Sequence, residues 1–566
     1  MTAPANPERV LAINDLNVWF NTGRGAAQTT SHVVRGVTLN LAPGDRLGLV
    51  GESGSGKTTT ILAAMGLLPS SAEVAGQILL NDRDILRGGE QTVAPHRWKD
   101  ISMVFQGAMS ALNPVRTIGW QIAEATQIHG IAKGEDARHR VAGLLDLVGI
   151  RQTGASQYPH QMSGGMRQRA MIAMALACEP RVLLADEPTT ALDVIVQRQI
   201  LQLLVDLSER LNLALILVTH DLGVVAQTCQ HGAVMLDGEV VEQGPVSDLY
   251  RQPRHPYTRR LFEAAPDIRA AATRPRAAAD TDPRQLKADR LLSVNGLTVS
   301  YLRSRTFKDY FRGRHQDALI AVNDFSLTVA RGEMVALVGG SGSGKTTALQ
   351  AILGMVRPVR GSILLNGRDV STLGHRQWRP LRRQVQMIYQ DPYEALDLRF
   401  RVRSTLEEPL WAHGIRTSAK EREALVAEAL DRVELSPADQ YLNRFPHELS
   451  GGQRQRVAIA ASLVLRPHLL LADEPVSMLD VSVRNGVLQL LDRLRSGSEM
   501  GILMVTHDLS TAAAYADRIV VMNKGRIVEQ GGIAEVVTRP RDAYTKALLA
   551  SIPDPDPEAG KGDPAG

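Results

Sequence analysis

Two nine-residue stretches offer a polyphosphate what it needs: a glycine-lined main chain, one ammonium group and adjacent hydroxyls. The first is Gly51-Glu52-Ser53-Gly54-Ser55-Gly56-Lys57-Thr58-Thr59, the second Gly339-Gly340-Ser341-Gly342-Ser343-Gly344-Lys345-Thr346-Thr347. Both fit the phosphate-loop (P-loop) pattern G-x-x-x-x-G-K-[ST], which links a strand to a helix. An apolar run (Leu47, Gly48, Leu49, Val50) precedes the first, and a helical pattern (Ile61, Leu62, Met65, Leu67) follows it. Glycines let the backbone wrap an anion closely, so that its N–H groups and the positive end of the helix face the phosphates. In this pattern Lys57 and Lys345 reach the terminal phosphates, and the Thr58 and Thr346 hydroxyls ligate Mg²⁺. Gly51, Ser53, Gly54, Gly56 and Thr59, with Gly339, Ser341, Gly342, Gly344 and Thr347, complete the candidate nucleotide contacts.

A P-loop pattern alone arises by chance, so downstream partners are needed. Val182-Leu183-Leu184-Ala185-Asp186-Glu187 and Leu469-Leu470-Leu471-Ala472-Asp473-Glu474 each place two acids at the end of an apolar strand. Glu187 lies 130 residues after Lys57, and Glu474 lies 129 after Lys345. Such a pair suits ATP hydrolysis: the Asp holds the metal shell and the Glu polarises the attacking water. The bland alternative, a surface acid pair after a core strand, does not account for both copies. His220 and His507 each follow the glutamate of their own half by 33 residues, inside Thr-His-Asp-Leu. A lone histidine after a strand is usually a satisfied structural residue. Two at one spacing argue for function.

Between loop and acids, His160-Gln161-Met162-Ser163-Gly164-Gly165-Met166-Arg167-Gln168-Arg169 is matched by His447-Glu448-Leu449-Ser450-Gly451-Gly452-Gln453-Arg454-Gln455-Arg456. Here the sequence resembles the ATP-binding cassette (ABC) ATPases, whose signature is LSGGQ, and the resemblance covers nearly the whole chain twice over. It implies that each Ser-Gly-Gly helix start is donated across a head-to-tail interface. Lys57, Asp186 and Glu187 would then work with Ser450, Gly451 and Gly452, and Lys345, Asp473 and Glu474 with Ser163, Gly164 and Gly165. The resemblance also implies that Gln106 and Gln390 are Q-loop glutamines contacting Mg²⁺, that Asp193 and Asp480 line the seam between the halves, and that His220 and His507 are switch histidines at the γ-phosphate. Met166 departs from the signature glutamine, and Met478 from the usual small residue before Leu479-Asp480. Neither removes a phosphate, metal or water-polarising group, so both sites are expected to hydrolyse ATP, unequally or not.

The elements that must position these groups come in two copies. Lys57 and Lys345 are 288 residues apart, and Ser163 and Ser450, like His220 and His507, are 287 apart. That constant offset means a duplicated domain. The expected fold is α/β: two tandem P-loop ABC-type nucleotide-binding domains, each with a parallel-sheet core, an antiparallel β subdomain and a helical subdomain. Residues 10–50 alternate in the β manner (Leu16, Val18, Phe20, then Val33, Val37, Leu39, Leu41), with Pro43-Gly44-Asp45 as the turn before the P-loop strand. Short strands are expected at Gln77–Leu80 and Ile101–Phe105, mostly helix over 115–180, and a β-turn-β finish with a helix over 232–250. The runs Val182–Ala185 and Leu213–Val218 suit strands buried on both faces of a parallel sheet.

The first domain is placed at 10–263 and the second at 291–552. Residues 264–290, rich in Ala, Pro, Asp and Arg, read as a linker, which as a flexible coil of about 25 residues would span roughly 25–30 Å. Residues 553–566 read as a disordered tail. The second half carries an insertion over 303–316, whose basic and aromatic residues (Phe307 to Arg314) could stack adenine, touch headgroups or be a solvated loop. Phe20 and Tyr301 are the nearest aligned adenine-stacking candidates, either of which could equally be a strand core residue.

The chain has 566 residues, 64 basic against 60 acidic for a net charge of +4, and no nucleic-acid footprint is expected without clustering of that charge. Cys178 and Cys229 are the two cysteines, without C-x-x-C spacing, so buried thiols are expected and no disulfide framework, zinc site or iron–sulfur cluster. Met1 to Arg9 does not read as a signal peptide, and no run of about 18 apolar residues is present. Any membrane role is therefore expected to come through partners.

After each catalytic half comes a short extension. Tyr250 to Thr258, containing His255-Pro256-Tyr257-Thr258, resembles the C-terminal "HPYT" element of oligopeptide, dipeptide and nickel importers. Arg539 to Thr545 is a weaker copy that has lost the His-Pro, and Ser110-Ala111-Leu112-Asn113-Pro114 also resembles that group. As physics the extension reads as a short helix stop with Pro and Tyr. The resemblance implies the ATPase subunit of a bacterial importer for peptides or similar small solutes, using ATP and Mg²⁺. It would sit peripherally on the cytoplasmic face of the plasma membrane, docked on two integral-membrane permease subunits, with substrate delivered by an extracytoplasmic binding protein. Some members of the group carry an iron–sulfur cluster in such extensions, and the absence of cysteine after Cys229 argues against one here. The alternatives are a soluble tandem cassette acting on ribosomes or nucleic acid, disfavoured by the short linker and the two histidines, and an exporter's ATPase, disfavoured by the HPYT element. The solute itself is not written in this chain.

Overall fold

In the computed structural model, the alternating residues near the N-terminus form an antiparallel pair. β1 (Leu11–Thr22) lies against β2 (Thr29–Leu41), with Leu11 opposite Leu41 and Ile13 opposite Leu39. Leu11, Ile13, Leu16 and Val18 are all buried, which is what sets the register, because a one-residue slip would turn them to water. β4 (Ala72–Leu80) pairs the other edge of β1, and β5 (Arg83–Asp84) completes the order β2-β1-β4-β5. The structure describes residues 9–22, 29–107, 111–190, 192–263, 268–273, 290–302, 318–415, 418–477, 479 and 481–558.

The apolar runs build the second sheet. β3 (Arg46–Val50), β6 (Ile101–Val104), β7 (Val182–Asp186) and β8 (Ala214–Thr219) run parallel, and β9 (His231–Leu236) joins β3 in the same sense. β10 (Glu239–Pro245) pairs β9 antiparallel, giving the order β10-β9-β3-β8-β7-β6. Every residue of β6, β7 and β8 is buried, as continuous apolar strands between two layers require. The order matters for chemistry. β8 lies between β3 and β7, with Val50 beside Thr219 and Asp186 beside Val218, so the segments that follow these strands emerge at one end of the sheet. Open parallel sheets bind ligands there.

Residues 115–180 are mostly helical, as expected, with α-helices Ile118–Ile128, Gly134–Leu147 and Gly164–Ala175. Ile118, Ile122, Leu145 and Val148 share one core with Met171 and Ile172 of the third helix. That helix is buried nearly all round (Ala170 to Ala173 and Ala175), which fixes its N-terminus in place.

The second copy repeats the plan. β11 (Arg290–Leu302), β12 (Ala318–Ala330), β14 (Arg360–Leu365) and β15 (Arg368–Asp369) form the antiparallel sheet in the order β12-β11-β14-β15. β13 (Met334–Val338), β16 (Val385–Ile388), β17 (Leu469–Asp473), β18 (Gly501–Thr506), β19 (Arg518–Asn523) and β20 (Arg526–Gly532) form the other, in the order β16-β17-β18-β13-β19-β20.

The chain divides into two compact units, Met1–Ala265 with Pro553–Gly566, and Pro266–Ile552. Two details differ from the sequence expectation. The segment read as linker contains a helix, Ile268–Thr273, with Ala272 buried; in the second unit it packs on helices Leu509–Tyr515 and Ile533–Thr538. Alanines that show no strand or helix period still fit a flat helical contact. The start of the segment read as tail is packed too: Pro553 sits so close to Gly223 that a Cβ on that glycine would lie 2.9 Å from the proline ring. No helix among the described residues is long and apolar enough to cross a membrane.

Candidate functional site

Each P-loop closes on its own lysine. Lys57 is buried, and its Nζ donates to the carbonyls of Gly51 (2.8 Å) and Glu52 (2.7 Å). Lys345 does the same to Gly339 (2.8 Å) and Gly340 (2.9 Å). Gly56 (φ 98°) and Gly344 (φ 102°) turn the chain into helices Lys57–Ala64 and Lys345–Ile352, and neither helix start is capped by a side chain. Uncapped N–H groups with a buried ammonium beside them are an anion site.

The strand-end acids arrive from β7 and β17. Thr58 Oγ1 donates to Asp186 Oδ1 at 3.0 Å, which brings the two expected metal ligands together. Burial pushes the Asp186 carboxyl up to about 6, although the Thr58 hydroxyl and Lys57 pull the other way. Burial likewise raises Asp473.

Glu187 is held from three sides. Gln106 Nε2 donates to its Oε2 at 2.8 Å, Thr190 Oγ1 donates to the same oxygen at 3.0 Å, and His220 Nδ1 lies 3.0 Å from Oε1. In the second unit Gln390 Nε2 donates to Glu474 Oε2 at 3.1 Å, and His507 Nδ1 lies 3.2 Å from that oxygen. Burial works against ionising Glu187 and Glu474. Their histidine hydrogen bonds and the nearby positive charge outweigh it, so both carboxyls titrate below the ordinary glutamate value. His507 shows the reverse: burial lowers it, and the Glu474 bond and charge win and raise it. An ionised carboxylate only accepts, so the proton of each contact sits on Nδ1, and Nε2 is left for another partner.

Both glutamates hold a left-handed backbone, φ 41° at Glu187 and 46° at Glu474. A non-glycine residue there costs about 1–3 kcal/mol and persists where the surroundings dictate it. Here the glutamate N–H groups bond Val218 O (3.0 Å) and Val505 O (2.9 Å), which anchors each acid to the neighbouring strand. Nothing in the acid pair's sequence signals this twist.

The signature serines are helix caps. Ser163 Oγ accepts from Met166 N, and Ser450 Oγ from Gln453 N, both at 3.3 Å. Gly165 and Gly452 let the helix pass against Val196 and Val483, where a Cβ would come within 2.5 Å of a methyl group. The departure at Met166 now has a structural meaning. Gln453 Oε1 accepts from Ser450 N at 3.1 Å and closes a reciprocal capping box, whereas the Met166 thioether cannot. Met166→Gln is expected to stabilise the first unit by roughly 0.5–1 kcal/mol, since one capping interaction is worth about that. Urea titration checks it, and an unchanged midpoint contradicts it.

Asp193 caps helix Val194–Leu211 by accepting from Val196 N at 3.0 Å, which is a structural task at the place where the resemblance put a seam residue. Asp480, Met478, Ser110 and the 303–316 insertion lie outside the described residues. Phe20 is half-buried on β1 and Tyr301 is exposed on β11. Cys178 and Cys229 are buried free thiols, and burial pushes Cys229 up to about 11.

The donor set also fits Mg²⁺. Among the described residues no cluster of three His, Cys, Asp or Glu could hold a metal, but a hydroxyl beside a buried carboxylate whose ionisation burial disfavours does suit a cation. Mg²⁺ is usually bound by one or two carboxylates plus substrate phosphates.

The extensions are the part least legible in the sequence. Helix Pro256–Glu263 is seated by Glu242, whose oxygens accept from Arg254 N (2.8 Å) and His255 N (3.0 Å), and His255 Nδ1 accepts from Tyr257 N at 3.2 Å. In the second copy Glu529 accepts from Arg541 N (2.8 Å) and Asp542 N (3.1 Å), and Asp542 Oδ1 accepts from Tyr544 N at 2.8 Å. Asp542 thus does the capping of the lost histidine. Asp-for-His keeps an acceptor just ahead of the tyrosine, and the docking survives.

Comparison with known proteins finds two family models, each matching the chain twice. The family described as "ABC transporter" matches residues 34–190 and 322–477, and "Oligopeptide/dipeptide transporter, C-terminal region" matches 241–290 and 528–565. The chain is 42% identical over 575 residues to the Glutathione import ATP-binding protein GsiA of Salmonella choleraesuis (strain SC-B67), covering 97% of this chain and 90% of that one. It is 40% identical over 550 residues to the Peptidoglycan transport ATP-binding protein YejF of Agrobacterium fabrum (strain C58 / ATCC 33970), covering 96% and 97% respectively.

Proposed function

The chain belongs to the ABC transporter family, and from that premise we infer that it is the ATP-hydrolysing subunit of an importer for peptides or peptide-like solutes such as glutathione. Membership makes it an ATP-binding ATPase. The observation that carries the importer reading is the pair of extensions, docked alike in both units and matching the oligopeptide/dipeptide transporter region. The import roles in the names of GsiA and YejF support it.

Lys57 and the first N–H groups of helix Lys57–Ala64 hold the phosphates of one ATP, and Lys345 with helix Lys345–Ile352 those of another. Thr58 with Asp186, and Thr346 with Asp473, would hold Mg²⁺, with Gln106 and Gln390 as further candidate ligands. That ion, when bound, draws charge off the phosphate oxygens. Glu187 and Glu474, kept ionised, align the attacking water and take its proton. His220 and His507 present Nε2 toward the γ-phosphate. Each pocket is completed when Ser163 to Gly165, or Ser450 to Gly452, caps the nucleotide held by the other unit, so that ATP closes the units and hydrolysis reopens them. Two permease subunits in the plasma membrane would turn that stroke into transport, with an extracytoplasmic protein delivering the solute and this chain on the cytoplasmic face.

Reconstitution with the permeases is the test. ATPase activity is expected to rise severalfold with a binding protein loaded with a peptide or glutathione, and not with nickel chelates. Copurification of ribosomes or nucleic acid in place of permeases would overturn the importer reading.

A further inference from the structure

We propose that the hydroxyls of Tyr257 and Tyr544 position the phosphate-binding lysines through a single shared peptide group. Glu52 N donates to Tyr257 Oη at 3.0 Å, and the carbonyl of that same peptide unit, Gly51 O, accepts from Lys57 Nζ at 2.8 Å. The second unit repeats it: Gly340 N donates to Tyr544 Oη at 2.7 Å, and Gly339 O accepts from Lys345 Nζ at 2.8 Å. A peptide group is planar, so fixing its N–H edge fixes the direction of its carbonyl. Hydrogen bonding at the N–H also strengthens the carbonyl as an acceptor, as in other hydrogen-bond chains.

The glycine that opens each peptide is closely walled. A Cβ at Gly51 would lie 2.2 Å from Met235 O, and one at Gly339 2.2 Å from Met522 O. Tyr257 is buried in the core, 205 residues from its partner in sequence, on the helix that Glu242 and His255 seat. The two extensions differ in the residues before the tyrosine, His255-Pro256 against Asp542-Ala543, and agree in the bond its hydroxyl makes. The extension is therefore a strap whose position is read at the P-loop: anything that shifts the helix shifts the lysine's carbonyl cradle. Tyr257 and Tyr544 are positioning residues, since they act on ATP through the lysine.

This inference rests on the ATPase reading, and the test separates the two. In full-length chain carrying Glu474→Gln, so that turnover reports the first site, Tyr257→Phe keeps the ring and removes the hydroxyl. KM for ATP is expected to rise roughly three- to tenfold, the loss of about one hydrogen bond, with kcat within about twofold and the thermal midpoint lowered by no more than about 4 °C. Radiolabelled ATP binding should weaken by the same factor, and Tyr544→Phe in a Glu187→Gln chain should repeat the result at the other site. Tyr257→Ala should both weaken ATP and lower the thermal midpoint. Wild-type KM and ATP affinity in both phenylalanine variants would overturn the proposal and leave the tyrosines as packing groups. A parent chain that binds ATP without turning it over would count against the ATPase reading alone, and the binding comparison would still decide this one.

Discussion

Replacing Glu187 or Glu474 by glutamine is expected to lower ATP turnover at that residue's own site by roughly 100- to 10,000-fold, the usual range for losing a general base. Glutamine keeps the shape of the side chain, and its amide oxygen can still accept from the histidine Nδ1–H. It cannot take a proton from water. Gln106, Thr190 and His220 converge on Glu187, and Gln390 and His507 on Glu474; these contacts orient and ionise the carboxylate, so they lose their purpose with it. ATP affinity should stay within a few-fold, because neither glutamate holds the phosphates. Single-site turnover, with the opposite site silenced, checks each variant, and unchanged turnover in either would contradict two competent sites.

Gly344→Ala is expected to weaken ATP binding at the second site by roughly 30- to 4,000-fold, whereas Gly342→Ala two residues earlier should cost roughly 5- to 30-fold. Both glycines are left-handed, φ 102° and 75°, which costs an alanine about 1–2 kcal/mol. At Gly342 a Cβ meets nothing within 4 Å. At Gly344 it would lie 2.4 Å from the carbonyl oxygen of Ala321 and 2.9 Å from the Met522 methyl. Overpacking of that kind adds about 1–3 kcal/mol, and each 1.4 kcal/mol is about tenfold in affinity. The loop escapes by leaving its phosphate-ready shape, so the cost falls on ATP affinity more than on folding. Isothermal titration with ATP separates the two; equal losses in both variants would show that the backbone angle alone decides.

The parts of the site that lie in consecutive residues are legible in the sequence. Lys57 with its glycines, Asp186-Glu187 and Ser163-Gly164-Gly165 are each a short run of the candidate site, and each recurs in the second copy. The histidines are legible through their spacing, because β8 must follow β7 and return beside it. The alternating and continuous apolar runs mark the two sheets for the same reason: burial on one face or both leaves a period. What escapes depends on residues far apart in the chain. Tyr257 reaches Glu52 across 205 residues, the twist at Glu187 is imposed by a strand that pairs with its own, and Asp542 replaces His255 by shared geometry and not by type. Helix Ile268–Thr273 hides in an alanine-rich stretch because its one buried face is too short to show a period.

The most direct test of the account is the structure of full-length protein carrying both Glu187→Gln and Glu474→Gln, loaded with ATP and Mg²⁺. The account predicts two bound ATP molecules. The one on Lys57 should have its γ-phosphate touched by Ser450 and Gly452, and the one on Lys345 by Ser163 and Gly165. ATP seated on both P-loops with the two signature serines in water would contradict it.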